Sequence, residues 1–151
     1  MGFGLTVLDA YAVVASIAGE PAAAEVDHLR SADGQGVRIS TANVAEVIDR
    51  LVRVHGLTLA VVWERLRWMR SGGLEVVPVD EGIGRRAGEL RANQYHRERS
   101  AVSLADCLAL ASAEAVGEPL ATPDPALAAM ARAEGVDVVA LPNSQGRRPT
   151  G

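Results

Sequence analysis

The chain has 151 residues, 48% of them hydrophobic, with 15 basic against 19 acidic side chains and a formal net charge of −4. That length suits one domain with a core of its own, and that apolar content excludes a disordered chain. Every basic residue is Arg, so chemistry that needs a lysine, such as a P-loop nucleotide site or a phosphate-accepting receiver pocket, is excluded.

No apolar run reaches membrane-spanning length, and the N-terminus lacks the charged region of a signal peptide. The single Cys107 permits no intramolecular disulfide. The expectation is a cytoplasmic protein with no membrane partner.

In chain order, residues 6–8 read as a short apolar strand that runs directly into Asp9. Helical pattern comes next as far as Ile17 and resumes over 22–29. The Asp33-Gly34 turn leads to a strand over 37–40. Residues 43–55 form an amphipathic helix with Val44, Val47, Ile48 and Leu51 on one face, and Gly56 ends it. A helix over 57–70 takes Leu59, Val62, Trp63 and Leu66 as its core stripe and leaves Trp68 on the opposite face. Gly72 and Gly73 stop that helix. A strand over 74–79 and a helix over 81–95 come next. Residues 103–116 read as an Ala/Leu helix, apolar nearly all round and therefore buried. A strand at Leu120-Ala121, a helix over 125–134 and a strand over 136–141 complete a single domain over 1–142. The tail 143–151, NSQGRRPTG, reads as flexible.

Short apolar strands separated by helices imply an α/β fold, a mainly parallel sheet of four to five strands with helices on both faces. In such folds, chemistry gathers at the C-terminal ends of the strands, where the strand order reverses. Four carboxylates fall at that edge. Asp9 ends the first strand, Glu46 and Asp106 fall in first turns of helices, and Asp124 closely follows the LAT strand. Three have a structural explanation. Asn43 to Glu46 and Ser103 to Asp106 read as capping boxes, and Asp124 before Pro125 reads as an N-cap. Asp9 has no such explanation. Together the four would repel one another unless a cation sits among them. Oxygen ligands alone suit Mg²⁺ or Mn²⁺, and a carboxylate-bound cation of that kind suits phosphate-ester hydrolysis.

VLDAYAVVA, STANVAEVIDRL, SLADCLALASA, PLATPDPALAAMA and GVDVVAL, in that order, resemble the PIN-domain nucleases, and most closely the VapC-type toxins of bacterial toxin–antitoxin pairs. The resemblance runs from about Leu5 to Leu141. It implies a PIN-like three-layer sandwich and places the family's metal-binding acids on Asp9, Glu46, Asp106 and Asp124. Thr122 takes the place of the family's hydroxyl residue, expected to line the catalytic site. It further implies an Mg²⁺- or Mn²⁺-dependent endoribonuclease acting on structured RNA, tRNA or rRNA, a homodimer, and neutralisation by a cognate antitoxin protein. The alternative is a catalytically silent PIN-like module that binds protein or RNA.

Without the four acids the chain is neutral, so an RNA substrate needs local arginines rather than a global basic field. Arg97 and Arg99 are the first candidates, just before Ser103. Arg85, Arg86 and Arg91 are further ones, each of which could equally be a solvated helix residue. GIGRRAG at Gly82 departs from the dinucleotide fingerprint, so no nucleotide cofactor is expected. Cys107 is expected in the core. Trp68 suggests a surface for a second protomer or an antitoxin, or else a Trp covered by a neighbouring helix.

Overall fold

A computed structural model describes residues 5–31, 35–95 and 101–150. The elements run β1 (Thr6–Leu8), α1 (Ala10–Ala18), α2 (Ala23–Arg30), β2 (Val37–Ser40), α3 (Thr41–Arg53), α4 (Leu59–Ser71), β3 (Leu74–Val77), α5 (Glu81–Gln94), α6 (Leu104–Val116), β4 (Leu120–Thr122), α7 (Pro125–Ala133) and β5 (Val138–Ala140). The strands form one sheet in the order β3-β2-β1-β4-β5, with every neighbouring pair parallel. This is the expected α/β sandwich, with the strand order reversing between β1 and β4.

The central strands β1 and β4 are buried throughout because both their faces are covered. In β1, Leu8 packs with α1 to α4 on one side, while Val7 packs with α5 to α7 on the other. In β4 the same alternation sends Ala121 to the first layer and Leu120 to the second. Leu8 and Leu120 are fully buried, each worth about 2 kcal/mol by transfer from water. Their packing holds β1 and β4 in the core, so the residues just beyond each strand emerge at the same edge.

Several boundaries differ from the sequence reading. Helix α3 starts at Thr41, because Ser40 is its N-cap and accepts from the Asn43 N–H at 3.1 Å. Asn43 is therefore inside the helix, and Glu46 lies in the second turn. Helix α4 is capped by Thr58, and its buried stripe is Val62, Leu66 and Met69. Leu59 and Trp63, expected in that stripe, are 51% and 49% exposed. The apolar pattern fits either flank of the helix; packing on α3 and β3 selects the one with Met69. Strand β3 stops at Val77, before Pro78, which has no N–H to give a ladder.

The turn after α4 depends on a close approach. Gly73 has φ +112°, and a Cβ there would lie 2.3 Å from the Arg30 carbonyl oxygen. Arg30 is itself buried and donates to the Gly72 carbonyl at 2.9 Å. After β5, Asn143 Oδ1 accepts from the Gln145 and Arg147 N–H groups, each at 2.9 Å. Arg148 pairs with Glu25 and donates to the Ala140 carbonyl at 2.8 Å.

Candidate functional site

The corner after β1 is built by Asp9. Its Oδ1 accepts the Ala12 N–H at 2.9 Å, which makes it the N-cap of α1. Its Oδ2 accepts the Thr122 hydroxyl at 2.6 Å. The sequence reading gave Asp9 no capping role; it has one, but that role occupies a single oxygen. Thr122 ends β4, and its Oγ1 accepts the Asp124 N–H at 3.0 Å while donating to Asp9. One hydroxyl thus ties together the two strand ends that flank the reversal. Thr122 is fully buried and does not line the cleft, unlike the expectation for it. Its chemistry is spent in holding Asp9 and the β4 corner.

Asp124 caps α7, its Oδ1 accepting from the Ala126 N–H at 2.8 Å and the Leu127 N–H at 3.3 Å. Asp106 completes a capping box with Ser103, its Oδ2 accepting the Ser103 N–H at 3.0 Å. Glu46 is the reverse case. The capping role read for it is taken by Ser40, leaving its half-buried carboxylate free of that duty. Asn43 Nδ2 donates to the Ala105 carbonyl at 3.1 Å and so fastens α3 to the first turn of α6. That bond brings Glu46 and Asp106 to the same place.

All four acids line one cleft of about 510 Å³, together with Tyr11, Arg50, Ser103 and Asn143. The electrostatics carry the signature of unneutralised charge. Burial pushes the Asp9 carboxyl up to about 7 against its two hydrogen bonds, and the charges of Asp106 and Asp124 add to the rise. Burial raises Asp106, with Asp124 adding and the Ser103 N–H opposing. Glu46 is raised by burial and by Asp106, with Arg50 opposing. An all-oxygen donor set short of positive charge fits a hard divalent cation. Among the described residues, however, no three His, Cys, Asp or Glu side chains form a ready-made ligand cluster. Carboxylates without a cation stand apart, and Mg²⁺ keeps several waters and needs few direct protein ligands.

The sequence matches the PIN domain over residues 6–133. The chain belongs to the PIN-domain family. Solved structures share this PIN fold. Mycobacterium tuberculosis VapC20, a sarcin–ricin loop cleaving toxin, is 17% identical, with a TM-score of 0.65 over 82% of this chain and 93% of its own. Rickettsia felis VapBC2, bound to a DNA fragment from its promoter, is 17% identical with a TM-score of 0.66, covering 89% of this chain and 97% of its own. VapBC-5 of M. tuberculosis, a VapBC toxin–antitoxin family member, is 25% identical with a TM-score of 0.56, covering 90% and 98%. No curated protein matches the chain.

Within this PIN domain the other candidates divide. Arg97 and Arg99 lie outside the described residues. Arg86 is committed to Glu114 and Glu134, and Arg85 stands 3.7 Å from Glu81. Arg91 sits 4.4 Å over the Tyr95 ring. Cys107 is buried in the core, where burial pushes its thiol up to about 11. Gly82 and Gly84 are inside α5 rather than in a phosphate-binding loop. Trp68 is 61% exposed, with the Arg30 guanidinium 4.6 Å from its ring centre. Sequence reasoning missed Arg50 and Tyr11. Arg50 was legible as the residue one helical turn after Glu46, and Tyr11 as the near neighbour of Asp9. Neither belonged to the acidic pattern that drew attention.

Proposed function

We propose that this protein is an Mg²⁺- or Mn²⁺-dependent endoribonuclease, the toxin of a type II toxin–antitoxin pair, which hydrolyses phosphodiester bonds in structured RNA such as tRNA or rRNA. The observation that carries this reading is the convergence of Asp9, Glu46, Asp106 and Asp124 on one cleft at the strand reversal, with burial and mutual repulsion raising three of them. Membership of the PIN family and a fold shared with VapC20 support it.

The four acids would hold the cation. When bound, such a cation supplies an activated water and positive charge for the phosphate oxygens. The chain's own residues do the positioning. Thr122 fixes the free rotation of Asp9 and links it to the Asp124 corner. Helices α1, α6 and α7 each carry an acid of this cleft at the cap or in the first turn, so the positive ends of three helices face an anionic substrate. Among the described residues no histidine lines the cleft: His28 is exposed and His55 lies 3.6 Å from Glu20.

A cognate antitoxin, a homodimer and a cytoplasmic site of action belong to the same proposal. Crystallised VapBC pairs with this fold support the antitoxin. No helix among the described residues is long and apolar enough to cross a membrane. Trp68, exposed on α4, is the proposed partner contact.

The second reading is a PIN module that binds without cleaving, in which the four acids, which form no ready-made ligand cluster among the described residues, hold no cation. One experiment separates them. Purified protein is incubated with total RNA in Mg²⁺, in Mn²⁺ and in EDTA, beside Asp9→Asn. The expected outcome is cleavage that requires the metal and drops more than about 100-fold in the variant, beyond the loss usual for a residue that merely supports a ligand. Cleavage that survives both EDTA and the substitution refutes the metal-nuclease reading. No cleavage in either metal leaves the binding module.

A further inference from the structure

The cleft contains one feature that carboxylate chemistry leaves unused. Arg50 lines it, one turn beyond Glu46 on α3, and among the described residues is the only cationic side chain in its lining. Residues four apart on a helix stand one above the other, so Arg50 and Glu46 share a face at about 6 Å. Several other arginines of the described residues are committed, Arg38 to Glu118, Arg53 to Asp49, Arg86 to Glu114 and Glu134, and Arg148 to Glu25, while Arg67 and Arg70 on α4 line a different groove. Arg50 has no carboxylate within ion-pair distance among the described residues and is exposed, although its own helix offers Glu46 and Asp49 nearby. A guanidinium left unpaired beside four acids is available to an incoming anion.

Tyr11 stands on the wall of the same cleft, two residues after Asp9. Its hydroxyl donates to Glu20 Oε2 at 2.7 Å, and His55 Nε2 lies 3.6 Å from Glu20 Oε1. The ring is packed against the core formed by α1 to α4 and is half-buried. The phenol is thus tethered to Glu20, outside the four-acid set, and the ring is held as a fixed plate. The Arg50 charge and the Tyr11 hydroxyl sense one another, as do Tyr11 and Asp9, so the three belong to one electrostatic neighbourhood.

We propose that Arg50 and Tyr11 form a nucleotide-positioning subsite beside the carboxylates, in which Arg50 holds a backbone phosphate of the RNA and the Tyr11 ring stacks on the adjoining base. The chemistry comes from the two groups. A planar guanidinium gives a phosphate two parallel N–H donors, and every base has a face that stacks on an aromatic ring. The subsite answers a problem posed by the acidic cleft: RNA is repelled by four carboxylates and needs a nearby cation to settle in register. It reads backbone and stacking, so it fixes position without demanding a base sequence. Both are positioning residues. The proposal rests on the ribonuclease reading above.

The test measures binding apart from cleavage. A fluorescent RNA stem–loop, which offers a single-stranded loop on a structured stem, is titrated in Mg²⁺ with Asp9→Asn protein, and the titration is repeated over a series of KCl concentrations. Added to that background, Arg50→Ala is expected to weaken binding about tenfold and to reduce the slope of log affinity against log salt by about 0.7, the loss of one phosphate contact on a single strand. Arg50→Lys restores most of the slope. Tyr11→Leu weakens binding about tenfold with the slope unchanged, whereas Tyr11→Phe, which keeps the ring and loses only the Glu20 bond, binds as the parent does. A merely structural role for Arg50 would not move the salt slope. An unchanged slope in Arg50→Ala overturns the phosphate contact; equal losses in Tyr11→Leu and Tyr11→Phe overturn the stacking plate; no saturable binding by the Asp9→Asn parent overturns both. Metal-dependent cleavage by the wild-type chain alongside any of these failures leaves the ribonuclease reading standing, and Arg50-dependent binding without cleavage removes that reading alone.

Discussion

The two ends of the sheet treat acidic residues in opposite ways. Near the N-terminal ends of the strands, Glu114 and Glu134, at the last turns of α6 and α7, share one guanidinium: Arg86 reaches Glu114 at 2.8 Å and Glu134 at 2.5 Å. Glu118, just before β4, has Arg38 at 3.1 Å. At the C-terminal ends, four acids converge, and Arg50, unpaired, is the one cation beside them among the described residues. Acids gathered for architecture are neutralised by the chain itself. Acids gathered and left without a matching cation ask for something from outside, and that difference distinguishes a candidate site from a structural network when both contain several carboxylates.

The largest test of the contrast is pH. The Asp9 carboxyl lies near 7 in the folded protein against an ordinary value of 3.8, because it is buried. Below about pH 4 both folded and unfolded chains hold the proton, and nothing is lost. As pH rises toward 7, the unfolded chain releases its proton while the folded one retains it, so each unit destabilises the fold. Above the folded value the loss is complete, on the order of 4 kcal/mol at 1.36 kcal/mol per unit for a shift from 3.8 to about 7. Thermal melts in EDTA should therefore show wild type losing stability relative to Asp9→Asn between pH 4 and pH 7. Mg²⁺ should raise the melting temperature of wild type at pH 8 and have little effect at pH 5, where protons occupy the site instead. Parallel curves for the two proteins across that range would mean that Asp9 is not held against its ionisation.

The opposite end should respond in the opposite sense. Arg86→Ala leaves Glu114 and Glu134 partly buried without their shared cation. Urea denaturation should report a loss of about 1–3 kcal/mol, the range for hydrogen bonds to charged groups that lose a partner. RNA cleavage by the folded fraction should be unchanged. A variant that keeps its stability but loses cleavage would reverse the assignment of the two ends and make Arg86 part of the site.

How much of this was legible beforehand depends on the range of the interaction. The sheet was legible because short apolar strands between helices leave few topologies, and the four acids were legible because a parallel sheet gathers strand ends at one edge. Asp106 and Asp124 cap their helices as the local S-x-x-D and D-P patterns implied. Contacts across long separations were hidden. The family resemblance puts Thr122 in the lining of the site, yet its hydroxyl is consumed by Asp9, 113 residues away. The α4 stripe keeps Val62 and Leu66 but turns toward Met69, because helical periodicity fixes an angle only within a broad apolar arc, and the neighbouring β3 and α3 decide the rest. Asp9 looked unexplained because its cap partner, Ala12, carries no side-chain signal. Arg50 was passed over because one arginine on an amphipathic helix looks like any solvated residue until Glu46 is known to face inward.

The smallest expected effect concerns α4, where the surface is neither acidic nor paired. Trp68 is mostly exposed, and the Arg30 guanidinium lies 4.6 Å from its ring centre. Arg30 is held from below by the Gly72 carbonyl, so it keeps its place when the ring is removed. Trp68→Ala should then cost the isolated chain only about 0.5–1 kcal/mol, the worth of a cation–π contact at an exposed position. A large aromatic kept on the surface for so small a return contributes little to folding; desolvated by a partner, the same ring is worth about 2 kcal/mol or more. The substitution should accordingly weaken antitoxin binding or self-association in calorimetry or sedimentation far more than it shifts the melt. A loss of several kcal/mol in the isolated chain would instead make Trp68 the cover of the α2–α4 corner, and the partner surface would have to be sought around Leu59 and Trp63, the other exposed apolar residues of that helix.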